Sequence, residues 1–315
     1  MLNICIFGQT VNKDSLKEVI EKYNKAIELK PNDAVNYYKR GVSKRKLEYY
    51  SEAIEDYTKA VELNPQYDSA FNARGYSKYL LKDYEGAIED YTKALQLNPK
   101  NIKAYINRGY AKYIMRDFTD AIEDYNKALE LDNKNIAAYK NRGDANFELK
   151  NYLGSKFDFS QAIDLNPKDA WSYNARGLAK SYLENDSVAI LDYNKAIELN
   201  SKLAIVYFNR GYSKSSLKDY NGAINDYTTA VELDSRGVNA YINRGNCKRE
   251  LKDFEGAIKD YTKVIATNPK NALAYCLRGL AKNKSGDKEG ACLDWKKADD
   301  LGDEDAKQKL KKYCK

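Results

Sequence analysis

The sequence contains no histidine. Histidine is the commonest general base near neutral pH and a frequent metal ligand, so its absence removes the simplest hydrolytic and zinc-dependent sites. The five cysteines form no C-x-x-C pair, which excludes the usual zinc-ribbon and dithiol redox motifs. The sequence also lacks a glycine-rich phosphate loop. We therefore expect no catalytic residue, no bound metal and no cofactor, and we predict that the protein is not an enzyme.

Long apolar runs and a charge of one dominant sign are also missing. No apolar run approaches the ~20 residues that a membrane-spanning helix needs. The 53 basic and 46 acidic residues leave a net charge of +7. Such a mixed surface disfavours a nucleic-acid partner, because those sites usually form a clustered basic stripe. With 43% hydrophobic residues the chain is predicted to be ordered.

What the sequence has instead is a period of 34 residues. Arg-Gly recurs at Arg40-Gly41, Arg74-Gly75, Arg108-Gly109, Arg142-Gly143, Arg176-Gly177, Arg210-Gly211, Arg244-Gly245 and Arg278-Gly279. Counting each period from seven residues before its glycine, positions 4 and 24 are always aromatic and position 8 is always glycine. Position 20 is alanine except at Ser155, position 27 is alanine except at Val264, and position 32 is proline in four periods. A fixed period of this length is the signature of a helical repeat array.

These columns resemble the tetratricopeptide repeat (TPR) family. The resemblance implies an all-α fold, a right-handed superhelical α-solenoid of eight 34-residue helix-turn-helix repeats over residues 34–303. Glycine at position 8 facing alanine at positions 20 and 27 would let the two helices approach closely, which explains a residue that weakens helices by about 1 kcal/mol. An acid near position 16, as in Asp83, would cap the second helix. Stacking of neighbouring repeats would then build the core.

The two ends of the array are predicted to carry capping helices. Residues 14–33 resemble an unpaired second helix, a half-repeat that begins at the capping box Ser15-x-x-Glu18. Residues 304–315 form the C-terminal capping helix, with acids first and lysines last. Residues 1–13 are either an apolar arm folded over the first repeat or the remnant of a secretory signal. The protein is accordingly cytoplasmic if Met1 is the true start, and secreted or periplasmic if residues 1–8 are a signal remnant.

A set of aromatic and amide side chains lies outside the packed stripe of the first helices. Positions 2, 6, 9 and 13 lie on the opposite side, at ~100° per residue. In the TPR family that face is concave and binds partner peptides, and aromatic and amide groups suit recognition. The candidate partner-binding residues are Tyr76, Tyr79, Ile106, Asn107, Tyr110, Tyr113, Lys140, Asn141, Phe147, Trp171, Asn174, Tyr182, Phe208, Asn209, Tyr212 and Asn243. The alternative is that the tyrosines pack between repeats. A clamp for an acidic chaperone tail is incomplete, because Asp144 follows Lys140 where that clamp requires asparagine.

Three further columns are charged. Position 7 is arginine and position 23 is aspartate in every period, and position 11 is lysine except at Asn146. We predict a series of Arg–Asp pairs, within or between repeats, with fork geometry suited to a carboxylate. The alternative is a basic stripe that faces a ligand. Cys247 at position 10 and Cys292 at position 21 are predicted to fill the core.

The predicted function is that of a non-catalytic scaffold or adaptor. It would hold an extended or helical segment of a partner protein on its concave face. One alternative is a structural assembly factor that uses its convex or end surfaces. A less favoured alternative is the stacking of single-stranded nucleic acid on the inner aromatics. We expect no small-molecule substrate, and the sequence specifies neither the partner nor the oligomeric state.

Overall fold

In the computed structural model, which describes residues 13–314, every regular element is an α-helix. The chain divides into two compact units, the first ending at Asn151 and the second beginning at Tyr152. The division therefore falls inside the fourth 34-residue period. Each unit is a stack of antiparallel helix hairpins, which confirms the predicted all-α, solenoid type of fold for both.

The first unit contains eight helices among its described residues. They are α1 (Lys13–Leu29), α2 (Ala34–Lys46), α3 (Tyr50–Leu63), α4 (Asp68–Leu80), α5 (Tyr84–Leu97), α6 (Ile102–Ile114), α7 (Phe118–Leu131) and α8 (Ile136–Glu148).

The second unit contains ten helices among its described residues. They are α9 (Tyr152–Leu165), α10 (Ala170–Tyr182), α11 (Asp186–Leu199), α12 (Ala204–Ser216), α13 (Tyr220–Leu233), α14 (Val238–Glu250), α15 (Phe254–Thr267), α16 (Ala272–Ser285), α17 (Lys288–Asp300) and α18 (Glu304–Tyr313).

The turn inside each hairpin has a fixed chemistry. Position 15 adopts the left-handed conformation, with a φ of 64° at Lys218, for example, and of 100° at Gly286. The acid that follows caps the second helix: the side chain of Asp83 accepts a hydrogen bond from the amide of Gly86. Asp117, Asp219, Asp253 and Asp287 cap their helices in the same way. These caps confirm the predicted turn, since a side-chain oxygen satisfies one of the amides that a helix start leaves unpaired.

Each hairpin closes around the aromatic residue at position 24. Tyr57, for example, is fully buried. A Cβ atom added to Gly41 would lie 2.8 Å from Cε1 of Tyr57 and 3.2 Å from the carbonyl oxygen of Ala53. Glycine at position 8 is thus required by the ring at position 24 and by the backbone at position 20. The sequence predicts the close approach of the two helices, but it does not indicate that the aromatic ring is the group nearest to the glycine.

The N-terminal helix does not begin as predicted. It begins at Lys13, so Ser15 lies inside its first turn and cannot be the N-cap of a capping box. The capping-box prediction is therefore wrong. The prediction of an arm or a signal remnant concerns residues 1–13, which lie outside the described residues except for Lys13.

The C-terminal helix α18 is held by a cap and by a disulfide. Asp303 accepts a hydrogen bond from the amide of Ala306, and Cys314 forms a disulfide with Cys292 of α17. The prediction that Cys292 fills the core is therefore wrong. Position 21 of this last hairpin lies against the returning end of α18, with 5.8 Å between the two Cα atoms. Cys247 is buried and free, as predicted.

Candidate partner-binding grooves

The charged columns form ion-paired rungs that join consecutive hairpins. In the rung at Arg74, Nε and Nη2 donate to the two carboxylate oxygens of Asp90, at 2.9 and 2.6 Å. Lys78 adds a contact of 2.9 Å to the same carboxylate. The third guanidinium nitrogen, Nη1, donates to the hydroxyl of Thr58 in the preceding hairpin, at 3.1 Å. Arg74 therefore binds within its own period and reaches the one before it.

Seven rungs share this geometry, with Nη2–Oδ1 distances of 2.5–2.7 Å. They are Arg40–Asp56, Arg74–Asp90, Arg108–Asp124, Arg176–Asp192, Arg210–Asp226, Arg244–Asp260 and Arg278–Asp294. The carboxylates are only 3–6% exposed. The prediction of Arg–Asp pairs is confirmed for these seven. Their cationic side chains contact carboxylates and do not form an open basic stripe.

In the second unit, the first helices of successive hairpins (α10, α12, α14 and α16) form a groove of about 580 Å³, which we call the aromatic groove. It is lined by Leu178, Ser181, Tyr182, Tyr193, Phe208, Asn209, Tyr212, Asn239, Ile242, Asn243 and Leu273. Five of these residues were predicted as partner contacts: Tyr182, Phe208, Asn209, Tyr212 and Asn243. The structure thus brings five predicted residues from three different helices into one cavity.

Within the aromatic groove the side chains differ in how they are held. Tyr182 and Tyr212 are 56% and 54% exposed, which is high for large aromatic side chains. Asn209 is buried, and its Nδ2 donates to the side-chain Oδ1 of Asn174 at 3.0 Å, across neighbouring hairpins. The two exposed rings therefore stand beside a fixed pair of amides.

In the first unit, the first helices of successive hairpins (α2, α4 and α6) form a second groove of about 450 Å³, which we call the basic groove. It is lined by Tyr38, Val42, Arg45, Ser69, Asn72, Ala73, Tyr76, Asn101, Lys103 and Asn107. Only Tyr76 and Asn107 of these were predicted. Sequence analysis missed Arg45, although it is an arginine outside the Arg–Asp columns, and that departure was the available signal.

The family assignment follows from comparison with known proteins. Models described as TPR repeat or tetratricopeptide repeat match residues 34–67, 75–115, 102–135, 136–169, 204–236 and 238–271. Together these matches cover more than half of the chain. The chain belongs to the tetratricopeptide repeat family. The general role of TPR proteins is protein–protein interaction, and they are typically non-catalytic.

Solved TPR structures share the fold. A TPR protein from Parabacteroides merdae is 24% identical, with a TM-score of 0.60 over 79% of this chain and 100% of that one. The C-terminal part of a TPR protein from Cytophaga hutchinsonii is 19% identical, with a TM-score of 0.62 over 75% and 97% of the two chains. YrrB, described as "a TPR protein with an unusual peptide-binding site", is 24% identical, with a TM-score of 0.50 over 59% and 96%. None of the curated proteins matches the chain by sequence.

A row of four tyrosines crosses the TPR hairpins of the first unit. The ring centroids of Tyr76 and Tyr79 lie 6.3 Å apart, those of Tyr79 and Tyr110 5.7 Å, and those of Tyr110 and Tyr113 6.1 Å. Tyr79 and Tyr113 also pack against the buried cores of their hairpins. For these two tyrosines the contacts agree with the alternative interpretation, in which the tyrosines pack between repeats. All four rings are half-buried.

The remaining predicted residues lie outside both grooves. Ile106 packs against the core formed around Leu129. Lys140, Asn141, Phe147 and Trp171 are half-buried on first helices. Their role in binding stays a prediction.

Asp144 gives α8 a distinct electrostatic character. It occupies position 9, where α4 and α6 carry Tyr76 and Tyr110. Burial raises the pKa of its carboxyl to about 7; Lys140 opposes this shift and Glu148 adds to it. The carboxyl therefore titrates near neutral pH.

Residues 13–314 provide no evidence for a metal site or for a membrane-spanning helix. No group of three or more cysteine, aspartate or glutamate side chains there is arranged to hold a metal ion. None of the helices in that range combines the length and the hydropathy that crossing a membrane would require.

Proposed function

We propose that this TPR chain is a non-catalytic scaffold that holds an extended or helical segment of a partner protein against its first helices. The observation that carries the proposal is the aromatic groove. It gathers Tyr182, Phe208, Asn209, Tyr212 and Asn243 into one concave surface of about 580 Å³. Concave sites lined mainly by apolar and aromatic groups, with a few polar groups, are typical of ligand binding.

The side chains of the aromatic groove suit a peptide. Exposed tyrosines offer a large contact area at little conformational cost, and tyrosine is enriched among the residues that dominate binding energy. Asn243 can bond a peptide backbone through both its donor and its acceptor atoms. YrrB, a TPR protein with an unusual peptide-binding site, supports the same class of ligand by analogy.

The test is a peptide-display selection against the whole chain, followed by affinity measurements with the double variant Tyr212→Ala, Asn243→Ala. We expect selected peptides to bind the double variant at least about tenfold more weakly, since truncation of a residue that dominates an interface costs about 2 kcal/mol or more. Leu191→Ala is the matched control, because Leu191 is a large exposed side chain outside the groove. Equal affinity for the wild type and the folded double variant would contradict the proposal.

A second candidate function is assembly through the outer faces of the second helices. Leu153 and Phe157 of α9 and Leu191 of α11 are 61%, 55% and 63% exposed. Phe157 and Leu191 stand at position 22, where five other periods carry a polar or charged residue. If these faces bind partners, Phe157→Glu with Leu191→Glu removes proteins that co-purify from native cells, whereas the groove variant retains them.

A further inference from the structure

Asp144 is an acid on the face of the first helices that carries the row of tyrosines. It stands at position 9 of α8, the position that Tyr76 and Tyr110 hold in α4 and α6. Its carboxyl is half-buried and forms neither an ion pair nor a hydrogen bond within residues 13–314. Burial raises the pKa of this carboxyl to about 7, although the charge of Lys140, one turn earlier, opposes the shift. A desolvated carboxylate without a partner favours a cation that can pair with it.

A buried tyrosine hydroxyl beside this carboxyl is also unsatisfied. Tyr125 of α7 is fully buried, and its hydroxyl has no hydrogen-bond partner in the described part of the chain. Its ring belongs to the same buried cluster as Ala145, the neighbour of Asp144, and the Asp144 charge adds to burial in raising the pKa of Tyr125. The hydroxyl of Tyr261, by contrast, donates to Asn246 at position 9 of α14, at 2.8 Å. From the buried side the Tyr125 hydroxyl can donate to Asp144, and this bond favours the ionised carboxylate.

Tyrosine rings border the Asp144 carboxyl on the side of α6. Tyr110 and Tyr113 are half-buried and nearly parallel, with 6.1 Å between their centroids and 9° between their planes. Burial raises the pKa of Tyr113 to about 12, and the charges of Asp144 and Glu148 add to the shift. The rings at position 4 each carry an arginine of the chain itself, at 5.3–5.9 Å. Among the described residues no arginine or lysine lies over Tyr110 or Tyr113, so both rings remain available to a cation from outside.

We propose that Asp144, with the exposed Glu148 one turn later and the rings of Tyr110 and Tyr113, binds a cationic side chain, a lysine or an arginine, of the partner segment. The inference rests on the proposed function, because the cation belongs to a bound segment of a partner protein, and it names the chemistry of that segment. Asp144 is also the residue that makes the clamp for an acidic tail incomplete. The chain therefore departs from that clamp toward a ligand of opposite charge.

The test is a peptide-display selection against the whole chain at pH 8, followed by synthesis of the recovered peptides with a fluorescein label. In each peptide lysine is compared with acetyl-lysine and arginine with citrulline, which removes the charge at nearly constant length and distinguishes the two cations. We expect at least one cationic peptide to bind about tenfold more tightly than its neutral counterpart in fluorescence anisotropy, as for a charge-assisted pair.

The pH dependence of binding provides a second readout. Because the Asp144 carboxyl titrates near pH 7 and a peptide lysine stays protonated to about pH 10, affinity for the lysine peptide should rise about tenfold from pH 6 to pH 8. The acetyl-lysine peptide should show no such rise. The other titratable groups around Asp144 in the first unit are Lys140, Glu148, Tyr110, Tyr113 and Tyr125.

Variants of the first unit then locate the effect. Asp144→Asn keeps the shape of the side chain and should abolish both the preference for the cationic peptide and its pH dependence. Tyr110→Leu keeps an apolar group but removes the ring, and should weaken binding of the cationic peptide about threefold. Glu123→Gln removes the same charge from an exposed position of α7 and should preserve both readouts. Thermal unfolding confirms that each variant is folded.

Three results would overturn the inference. They are a selection that recovers no peptide with lysine or arginine, equal binding of cationic and neutral peptides by the wild-type protein, and equal effects of Asp144→Asn and Glu123→Gln. Failure of the proposed function gives a different result, because all recovered peptides then bind the variant Tyr212→Ala, Asn243→Ala as tightly as the wild type. Peptides that are sensitive to that double variant but indifferent to Asp144→Asn refute the cation inference alone.

Discussion

The aromatic groove and the basic groove occupy the same positions of the TPR hairpin in two different units. Both are lined chiefly by positions 2, 5, 6, 9 and 12 of the first helices. In the second unit these positions supply Phe208, Tyr212 and Ile242, whereas in the first unit they supply Arg45 and Lys103. One groove is therefore aromatic and apolar, and the other is cationic.

The difference between the grooves distinguishes residues that recur from residues that vary. We use the term frame for the residues that recur in nearly every period, such as the glycine at position 8, the aromatic ring at position 24 and the Arg–Asp rung. These residues are buried against one another and set the spacing of the hairpins. The groove positions vary from period to period, so the packing that all hairpins share does not fix their identity. The chemistry of each groove is therefore set by the columns that vary.

The largest expected effect comes from breaking a rung of the frame beneath the basic groove. Asp90→Ala leaves the half-buried cations of Arg74 and Lys78 without their shared carboxylate. Removing one partner of a buried pair typically costs about 3–5 kcal/mol. We expect a lower unfolding midpoint in urea and faster hydrogen exchange in α4 and α5.

Glu89→Ala is the matched control for this experiment. It removes an acid from the adjacent, exposed position of α5 and should change stability by no more than about 0.5 kcal/mol. Equal destabilisation by the two variants would mean that the rung contributes no more than a surface charge.

A second prediction concerns Asp144, which replaces a tyrosine of the row beside the basic groove. Its folded-state pKa of about 7 lies above the usual value of 3.8. The folded state therefore binds more protons than the unfolded state between about pH 4 and pH 7, so stability falls as the pH rises through that window. Asp144→Asn should remove this dependence and stabilise the protein at pH 8 by about 2–4 kcal/mol.

The measurement is chemical unfolding of wild type and variant from pH 4 to pH 8. Glu123→Gln, an exposed acid on α7, serves as the control and should leave the slope unchanged. A wild-type slope that persists in Asp144→Asn would assign the titration to another group.

The frame could be predicted from the sequence because its columns recur without insertion. The Arg–Asp pairs followed from matching columns at positions 7 and 23, and the core rings followed from position 24. The disulfide could not be predicted, because Cys292 lies in α17 and Cys314 follows α18, and only the return of α18 brings them together. Arg45 was missed for a similar reason. Its contact with the Tyr76 ring and its place in the basic groove depend on which side chains surround it in three dimensions.

The exposure of the candidate residues agrees with their position on the helix in some cases and not in others. Tyr182 and Tyr212 are exposed and line the aromatic groove, as the face analysis indicated. Tyr79 and Tyr113 stand at position 12, beside that face, and they pack against the buried cores of the hairpins. A helical wheel gives only the direction of a side chain around its own helix axis. Whether a ring in that direction is covered depends on the neighbouring hairpin.

The smallest expected effect tests the turn that both units share. At position 15, Lys218 holds the left-handed conformation at a φ of 64°, whereas the corresponding residue of the last hairpin is Gly286. That conformation costs a side-chain-bearing residue about 1–2 kcal/mol, and glycine loses part of this gain through the greater freedom of its unfolded chain. Lys218→Gly should therefore stabilise the second unit by about 0.5 kcal/mol, and Gly286→Ala should destabilise it by about 1 kcal/mol. The pair is compared by thermal unfolding. If both variants lower the midpoint, the Lys218 side chain must stabilise the turn by more than its backbone strain costs, and the hairpin turns would then belong with the variable positions rather than with the frame.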